Sequence, residues 1–411
     1  MLRSRPFIAL LAAEIVSTTG SQLSWLAVPW FVLVTTGSPS RMGIVLAAEF
    51  LGTAIFGIPS SRVAARLGAR NTLLACDLVR APLVALVPLL HAAGALSFPV
   101  LVAIVFCLGA LFTPSYSSQR VVLPELFGED DRLLGQANAL LRGTTASTVL
   151  IGPPVAGVLI AALGASTVLW IDAATFLVSF AIVALFVPAG SRAPEGEDAR
   201  GVFAGLRFLW RDRLLRPWTV GGACFELGWQ ALFAAIPVIA FVRYGDPKVA
   251  GWLFASFGAG GILGSVLVVP ALKRIDSYRL VVLAKIPQLA VLWLLALDLP
   301  AVWIAPALAA ASFLGSFVTA PVTGVQSARA PASVRPHVMA AYLTITLLAG
   351  MIGLASAGPT LEHIGFQAVF VGLAAVHTAG AVPFVAASLR ERALSGAAGG
   401  VSPPASGESR A

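Results

Sequence analysis

Five ionisable side chains stand inside long apolar stretches of this chain: Glu14, Glu49, Asp172, Glu226 and His377. A charge in hydrocarbon costs at least ~2.5–3.5 kcal/mol, so such residues pair, line a water-filled cavity or change protonation. A carboxyl group there takes up and releases a proton as its contact with water changes, which can couple proton movement to a change of shape. Glu226 is the first candidate for proton coupling, Glu14 the second and Glu49 the third. Each has a structural alternative: Glu226 a hydrogen bond to a neighbouring helix, Glu14 contact with water at the membrane edge. Asp172 fits packing or gating, and His377 either the wall of a cavity or a satisfied core position. Asp77 and Arg80 stand one helical turn apart and are expected to pair.

The elements that must position these groups follow from composition. Of 411 residues, 58% are hydrophobic and 11% charged, with a mean hydropathy of +0.90. Soluble chains are nearer 45–50% apolar and 25% charged, so cytosolic enzymes, secreted disulfide scaffolds and disordered chains are excluded. A membrane helix needs about 20 apolar residues. The hydropathy predicts an all-α integral membrane protein with twelve spans, at 7–34, 42–61, 72–91, 97–118, 137–161, 166–187, 217–241, 249–270, 279–297, 301–325, 338–358 and 367–389. The apolar run after Arg5 continues through Glu14 to Val34, as a first span does and a cleaved signal does not.

Charge sets the orientation. Of 27 Lys and Arg residues, Arg41, Arg243 and Lys248 fall on one side and Arg80, Arg142 and Lys285 fall within or at the ends of spans. The rest lie on the side of the two termini, which is therefore expected to be cytoplasmic. The net charge of +8 reads as loop charge rather than a nucleic-acid footprint. Cys76, Cys107 and Cys224 are isolated in apolar segments, so neither a metal site nor a disulfide framework is expected.

The chain also repeats. Gln22 and Gln230, Pro29 and Pro237, Gly37 and Gly245, Pro39 and Pro247, Gly43 and Gly251, and Arg66 and Arg274 all stand 208 residues apart. Further on, Gly152-Pro153 and Gly358-Pro359 match at 206. This predicts two six-helix bundles, 1–187 and 217–392, related by an axis along the membrane normal. The polar segment 188–216 joins them. Its second part sets Val202, Phe203, Leu206, Leu209 and Trp210 at helical spacing among Arg207 and Arg211, the pattern of a basic helix in the membrane interface. A disordered tail is expected over 393–411. Two such repeats with a solute site between them are the design for alternating access.

Thr36-Gly-Ser-Pro39, Asp77-Leu-Val-Arg80, Gly152-Pro153, Asp172-Ala-Ala-Thr-Phe176 and Gly205-Leu-Arg-Phe-Leu-Trp210 carry a family resemblance. The chain resembles the major facilitator superfamily over its whole length, and within it the branch of enterobactin exporters and macrolide efflux proteins. The segment from Ser61 to Arg70 is similar to the family's signature after the second span: Arg66, Gly68 and Arg70 remain, while Ser61 and Ala65 replace its glycine and acid. The missing acid implies a weaker latch on the cytoplasmic side. Gly152, Pro153 and Gly157 resemble part of the antiporter signature of drug exporters. Asp77, Arg80 and Asp172 join these as expected gating residues.

In this family the first and seventh spans line the cavity, which implies walls of Gln22, Trp25, Trp229 and Gln230, with His377 and Arg142 close by. Arg142 could pair with Glu14 or contact an anionic solute. Acids outnumber bases inside the membrane, which favours neutral or cationic solutes. No phosphate loop, metal cluster or catalytic triad is legible, so neither an enzyme nor a cofactor is expected. The reading is a monomeric, proton-coupled exporter of small amphiphilic solutes in a bacterial cytoplasmic membrane, with lipid and protons as its other partners. An uptake carrier of the same fold and a non-transporting membrane sensor are the alternatives.

Overall fold

The computed structural model describes residues 4–57, 66–127, 131–188, 200–297, 299–331 and 334–399. Among these the chain is helical throughout, and twelve helices are long and apolar enough to cross a membrane. They are α1 (Arg5–Thr36), α2 (Pro39–Gly57), α3 (Ala69–Ala92), α4 (Phe98–Phe127), α5 (Asp131–Leu163) and α6 (Ala165–Phe186), then α8 (Leu215–Ile239), α9 (Pro247–Leu272), α10 (Ser277–Leu295), α11 (Ala301–Arg329), α12 (Arg335–His363) and α13 (Phe366–Gly399). The short α7 (Arg200–Arg211) precedes α8, and a π-helical turn, Ala240–Tyr244, follows it.

Several helices overrun the apolar windows, because hydropathy marks the hydrocarbon slab and not the helix. α4 continues nine residues past the expected 118 to Phe127, and α12 begins at Arg335. α13 runs to Gly399, past the residue 393 at which a disordered tail was expected. The turn ending each half's first span is built twice from the same parts. Gly37 and Gly245 both adopt φ 63°, the left-handed cap, and Pro39 and Pro247 open the next helix.

The helix pairings repeat as the sequence offset requires. In the first half α1 packs on α5 and α6, α2 on α4, and α3 on α4 and α6. In the second half the same contacts join α8 to α12 and α13, α9 to α11, and α10 to α11 and α13. The halves meet through α2 against α12 and α5 against α9.

These two seams are backbone against backbone. A Cβ at Gly43 would meet the Leu354 carbonyl at 2.7 Å, and one at Gly358 the Pro39 carbonyl at 2.5 Å. Likewise Gly251 faces the Pro153 carbonyl at 2.6 Å and Gly157 the Pro247 carbonyl at 2.8 Å. Only glycine permits such approaches. The contacts also correct the sequence pairing. Pro153 and Gly157 take the places of Leu354 and Gly358, an offset of 201, whereas matching Gly-Pro dipeptides had given 206. All four approaches lie in the half of the molecule remote from the chain termini.

Candidate functional site

A cavity of about 210 Å³ lies in the termini-side half of the second bundle, between α8, α10, α11, α12 and α13. Glu226 and Trp229 of α8 line it with Lys285, Gln288 and Tyr342. Glu226 is half-buried, and its Oε1 accepts a hydrogen bond of 2.7 Å from Gln230 Nε2. One turn separates the two, so the helix itself supplies this contact. Gly222 and Gly350 make room beside Tyr342 and Glu226.

Lys285, on α10, is 1% exposed. Its Nζ donates to Gln288 Oε1 at 2.9 Å and sits 3.1 Å from the centre of the Phe225 ring. Gln288 Nε2 in turn donates to the Ala311 carbonyl at 2.8 Å, fixing which end of the amide faces the lysine. In the sequence Lys285 falls within or at the end of a span, and Gln288 carries no charge to mark it. The available signal was the repeat, for Lys285 and Gln288 stand 208 residues after Asp77 and Arg80.

The matching place in the first bundle is a smaller pocket, about 10 Å³, room for about one water. Glu14 and Ser17 of α1, Asp77 of α3, Gln119 of α4 and Ser179 of α6 line it. Asp77 accepts from the Ser179 hydroxyl at 2.7 Å. The expected Asp77–Arg80 ion pair is not formed. Arg80 instead lies 4.4 Å from the Phe176 ring centre and lines a neighbouring cavity of about 50 Å³ with Glu49 and Asp172. Both partners, Ser179 and Phe176, come from α6, so the neighbouring helix outcompetes the contact within α3.

Asp172 accepts from Ser24 of α1 and holds α6 against α1 at Gly20. Gly152 admits the stem of Gln22 between α5 and α1, so this glycine serves packing inside one half while Gly157 serves the seam between halves. The main chain of Arg142 lies in α5; its side chain is outside the described residues. His377 is fully buried behind the cavity wall, its Nδ1 3.0 Å from the Leu373 carbonyl and its ring between Phe225 and Trp229.

Toward the remote end the cavity's Trp229 packs on Phe233 and Phe257, with centroids 6.4 and 5.2 Å away. Trp25 of α1 packs on Phe233 of α8 and Phe254 of α9, with centroids 5.8 and 4.7 Å away, and so joins the halves. Gln230, Trp25 and Glu49 also share a small pocket between the halves.

At the termini end, Arg66 is exposed, and Gly68 takes φ 83°, a conformation that requires glycine, to start α3. Arg70 then donates to the carbonyls of Val187 (2.6 Å) and Ala184 (2.8 Å), satisfying the end of α6. Ala65 and Ser61 are outside the described residues. In the second half Asp212 caps α8 through the Leu214 and Leu215 amides at 2.8 and 2.9 Å, and takes Arg329 Nε at 2.7 Å. Arg329 also reaches Glu391 at 3.2 Å. Partial burial acts to raise the Asp212 pKa; the Arg329 guanidinium and the two amides outweigh it and hold the carboxyl below its ordinary value.

Known proteins share this architecture. The Multidrug efflux pump Tap of Mycolicibacterium fortuitum is 27% identical over 385 residues, covering 90% of this chain and 92% of its own. Tap of Mycobacterium tuberculosis (strain H37Rv) is 26% identical over 390 residues, 90% of each chain. Among solved structures, the nucleoside transporter NupG superposes with a TM-score of 0.75 at 12% identity, covering 93% of this chain and 98% of that one. A bacterial homologue of the human lysosomal transporter Spinster, in an inward-facing and unoccupied conformation, gives 0.68 at 15% identity, over 94% and 95%. The Major Facilitator Superfamily profile matches residues 10–353. With twelve spans and two repeated six-helix bundles, the chain belongs to the Major Facilitator Superfamily, a family of membrane transporters and not of enzymes.

Proposed function

We propose that this transporter exports small amphiphilic solutes by alternating access, driven by protons moving the other way. The observation that carries the reading is Glu226: a half-buried carboxyl, tied to Gln230, on the wall of a cavity set to the termini side of a closed seam. The Lys and Arg distribution supports placing both termini in the cytoplasm, which makes the present shape inward-facing, with the seams of α2–α12 and α5–α9 as the outer gate. Export is supported by the similarity to Tap, whose name describes a multidrug efflux pump. Glu14 and Glu49 are the further proton-coupling candidates, each in a pocket of the first bundle. The working unit is a monomer of two bundles joined by 188–216, with α7 lying in the inner lipid interface. There Phe203 and Trp210 are exposed while Leu209 is buried against the protein.

Everted membrane vesicles with an imposed pH gradient test the reading. Wild type should accumulate fluorescent amphiphiles only when the gradient is present, and Glu226→Gln should abolish gradient-driven accumulation while the protein stays folded. Gradient-independent flux, or undiminished driven flux in Glu226→Gln, would refute the coupling.

A further inference from the structure

We propose that the Lys285 cavity is an anion subsite, so that the solute carries a carboxylate or similar single negative charge on an apolar ring system. The proposal rests on the reading that this cavity receives the solute, and it revises the preference for neutral or cationic solutes drawn from the sequence.

An ammonium has three donor directions. In Lys285 one is used by Gln288 Oε1 at 2.9 Å, and the Phe225 ring face lies 3.1 Å from Nζ. Both are neutral acceptors suited to a cation. The amide that supplies the oxygen is itself held by the Ala311 carbonyl, so the site is built and not incidental. Among the described residues no carboxylate pairs with Lys285. Glu226 lines the same cavity, yet its Oε1 is engaged by Gln230. A charge buried without a counter-charge is costly, and a ligand anion supplies the counter-charge that offsets this cost, so the site discriminates for an anion.

The surroundings fit the rest of such a solute. Trp229 offers an aromatic surface, and Thr319, Thr346 and Tyr342 offer hydroxyl groups to a polar edge. The repeat supports specialisation. The equivalent position in the first bundle is Asp77, whose pocket also holds Glu14 and has room for about one water. One bundle thus presents only acids in a tight pocket, and the other sets a cation beside the acid of its roomier one.

The test uses the full chain purified in detergent and two probes of one shape, 2-naphthoate and 2-naphthamide, at pH 7 in equilibrium dialysis. Naphthoate should bind at least about tenfold more tightly than the amide. Lys285→Met should erase that preference without weakening the amide, and Lys285→Arg should keep most of it. If Lys285→Met does not fold, the wild-type comparison and Lys285→Arg still decide. Equal affinity for the two probes, tighter amide binding, or no measurable naphthoate binding would overturn the proposal. The vesicle assay separates the two readings. Driven export of neutral or cationic amphiphiles that Lys285→Met leaves intact would sink the anion subsite and spare the export reading. A naphthoate preference without any flux would do the reverse.

Discussion

Glu362, at the end of α12, caps α2 in the other half of the molecule: its Oε2 accepts from the Ser38 hydroxyl at 2.7 Å and from the Ser40 amide at 2.8 Å. The first turn of α2 holds no acid of its own. Its counterpart α9 is capped locally, by Asp246 accepting from the Lys248 amide at 2.9 Å. Ser38 and Asp246 are equivalent positions, 208 residues apart. The second bundle's turn caps α9 by itself, whereas in the first the local cap, Ser38 Oγ accepting from the Arg41 amide at 3.2 Å, is joined by a carboxylate from across the seam. The amide of Ser40 is one of the donors a helix start leaves unpaired, and the helix dipole favours an anion there.

Glu362→Ala should accordingly loosen the closed end without unfolding the protein. A lost cap is worth about 1 kcal/mol, so a membrane-impermeant thiol reagent added from the remote side should label a cysteine at Trp25 about two- to fivefold faster. Labelling at the wild-type rate would show that the contact does not hold the gate. Asp246→Ala, which removes a cap within one half, should not produce the same effect.

The glycine seams predict a larger change. Gly358→Val places branched carbon where even a Cβ meets the Pro39 carbonyl at 2.5 Å. The halves must part there, so the remote end should become accessible and the termini-side cavity should close. Cysteine labelling from the two sides should move in opposite directions, fast at the remote end and slow at Thr323. Gly372→Val is the control, since a Cβ there meets nothing within 4 Å. Unchanged labelling in Gly358→Val with an intact melting profile would contradict the proposed gate.

A third expectation concerns acid. Asp212 has its pKa depressed in the folded state, so its contribution to stability is present above the unfolded value, about 3.9, and is lost as pH falls through the folded one. Asp212→Asn should lower the melting temperature at pH 7, in keeping with a cap and ion-pair loss of ~1–2 kcal/mol. The gap between variant and wild type should narrow once the pH drops below about 4. A gap that is constant from pH 7 into that range would mean the carboxylate's charge is immaterial.

The legible parts of this molecule were those that depend on solvent. Lipid selects apolar windows, so twelve spans and their alternation could be read directly. The repeat carried the turn glycines at 37 and 245 into matching caps. Glu226 was visible because an acid in an apolar run is expensive enough to be informative. Glu362 was not, for it lies past the apolar window 338–358 and resembles any acid at a helix end. Lys285 was left out of the topological count and given no role, although its offset from Asp77 pointed to it. The Asp77–Arg80 pairing failed because spacing along one helix says nothing of what neighbouring helices offer. The shift from 206 to 201 at α5 and α12 has a similar cause. Dipeptide matching finds similar residues, while the seam is set by where two backbones can touch.

The closed seams consist of glycine Cα atoms against carbonyl oxygens, at Gly43, Gly157, Gly251 and Gly358. Such contacts carry no net charge and no titratable proton. Acidity and ionic strength can therefore act on this end of the transporter only through flanking groups such as Glu362. The backbone contacts themselves are indifferent to brackish, acidic or dilute surroundings, so whatever the medium does to this end passes through the Glu362 carboxylate, and solute and proton occupancy decide the rest.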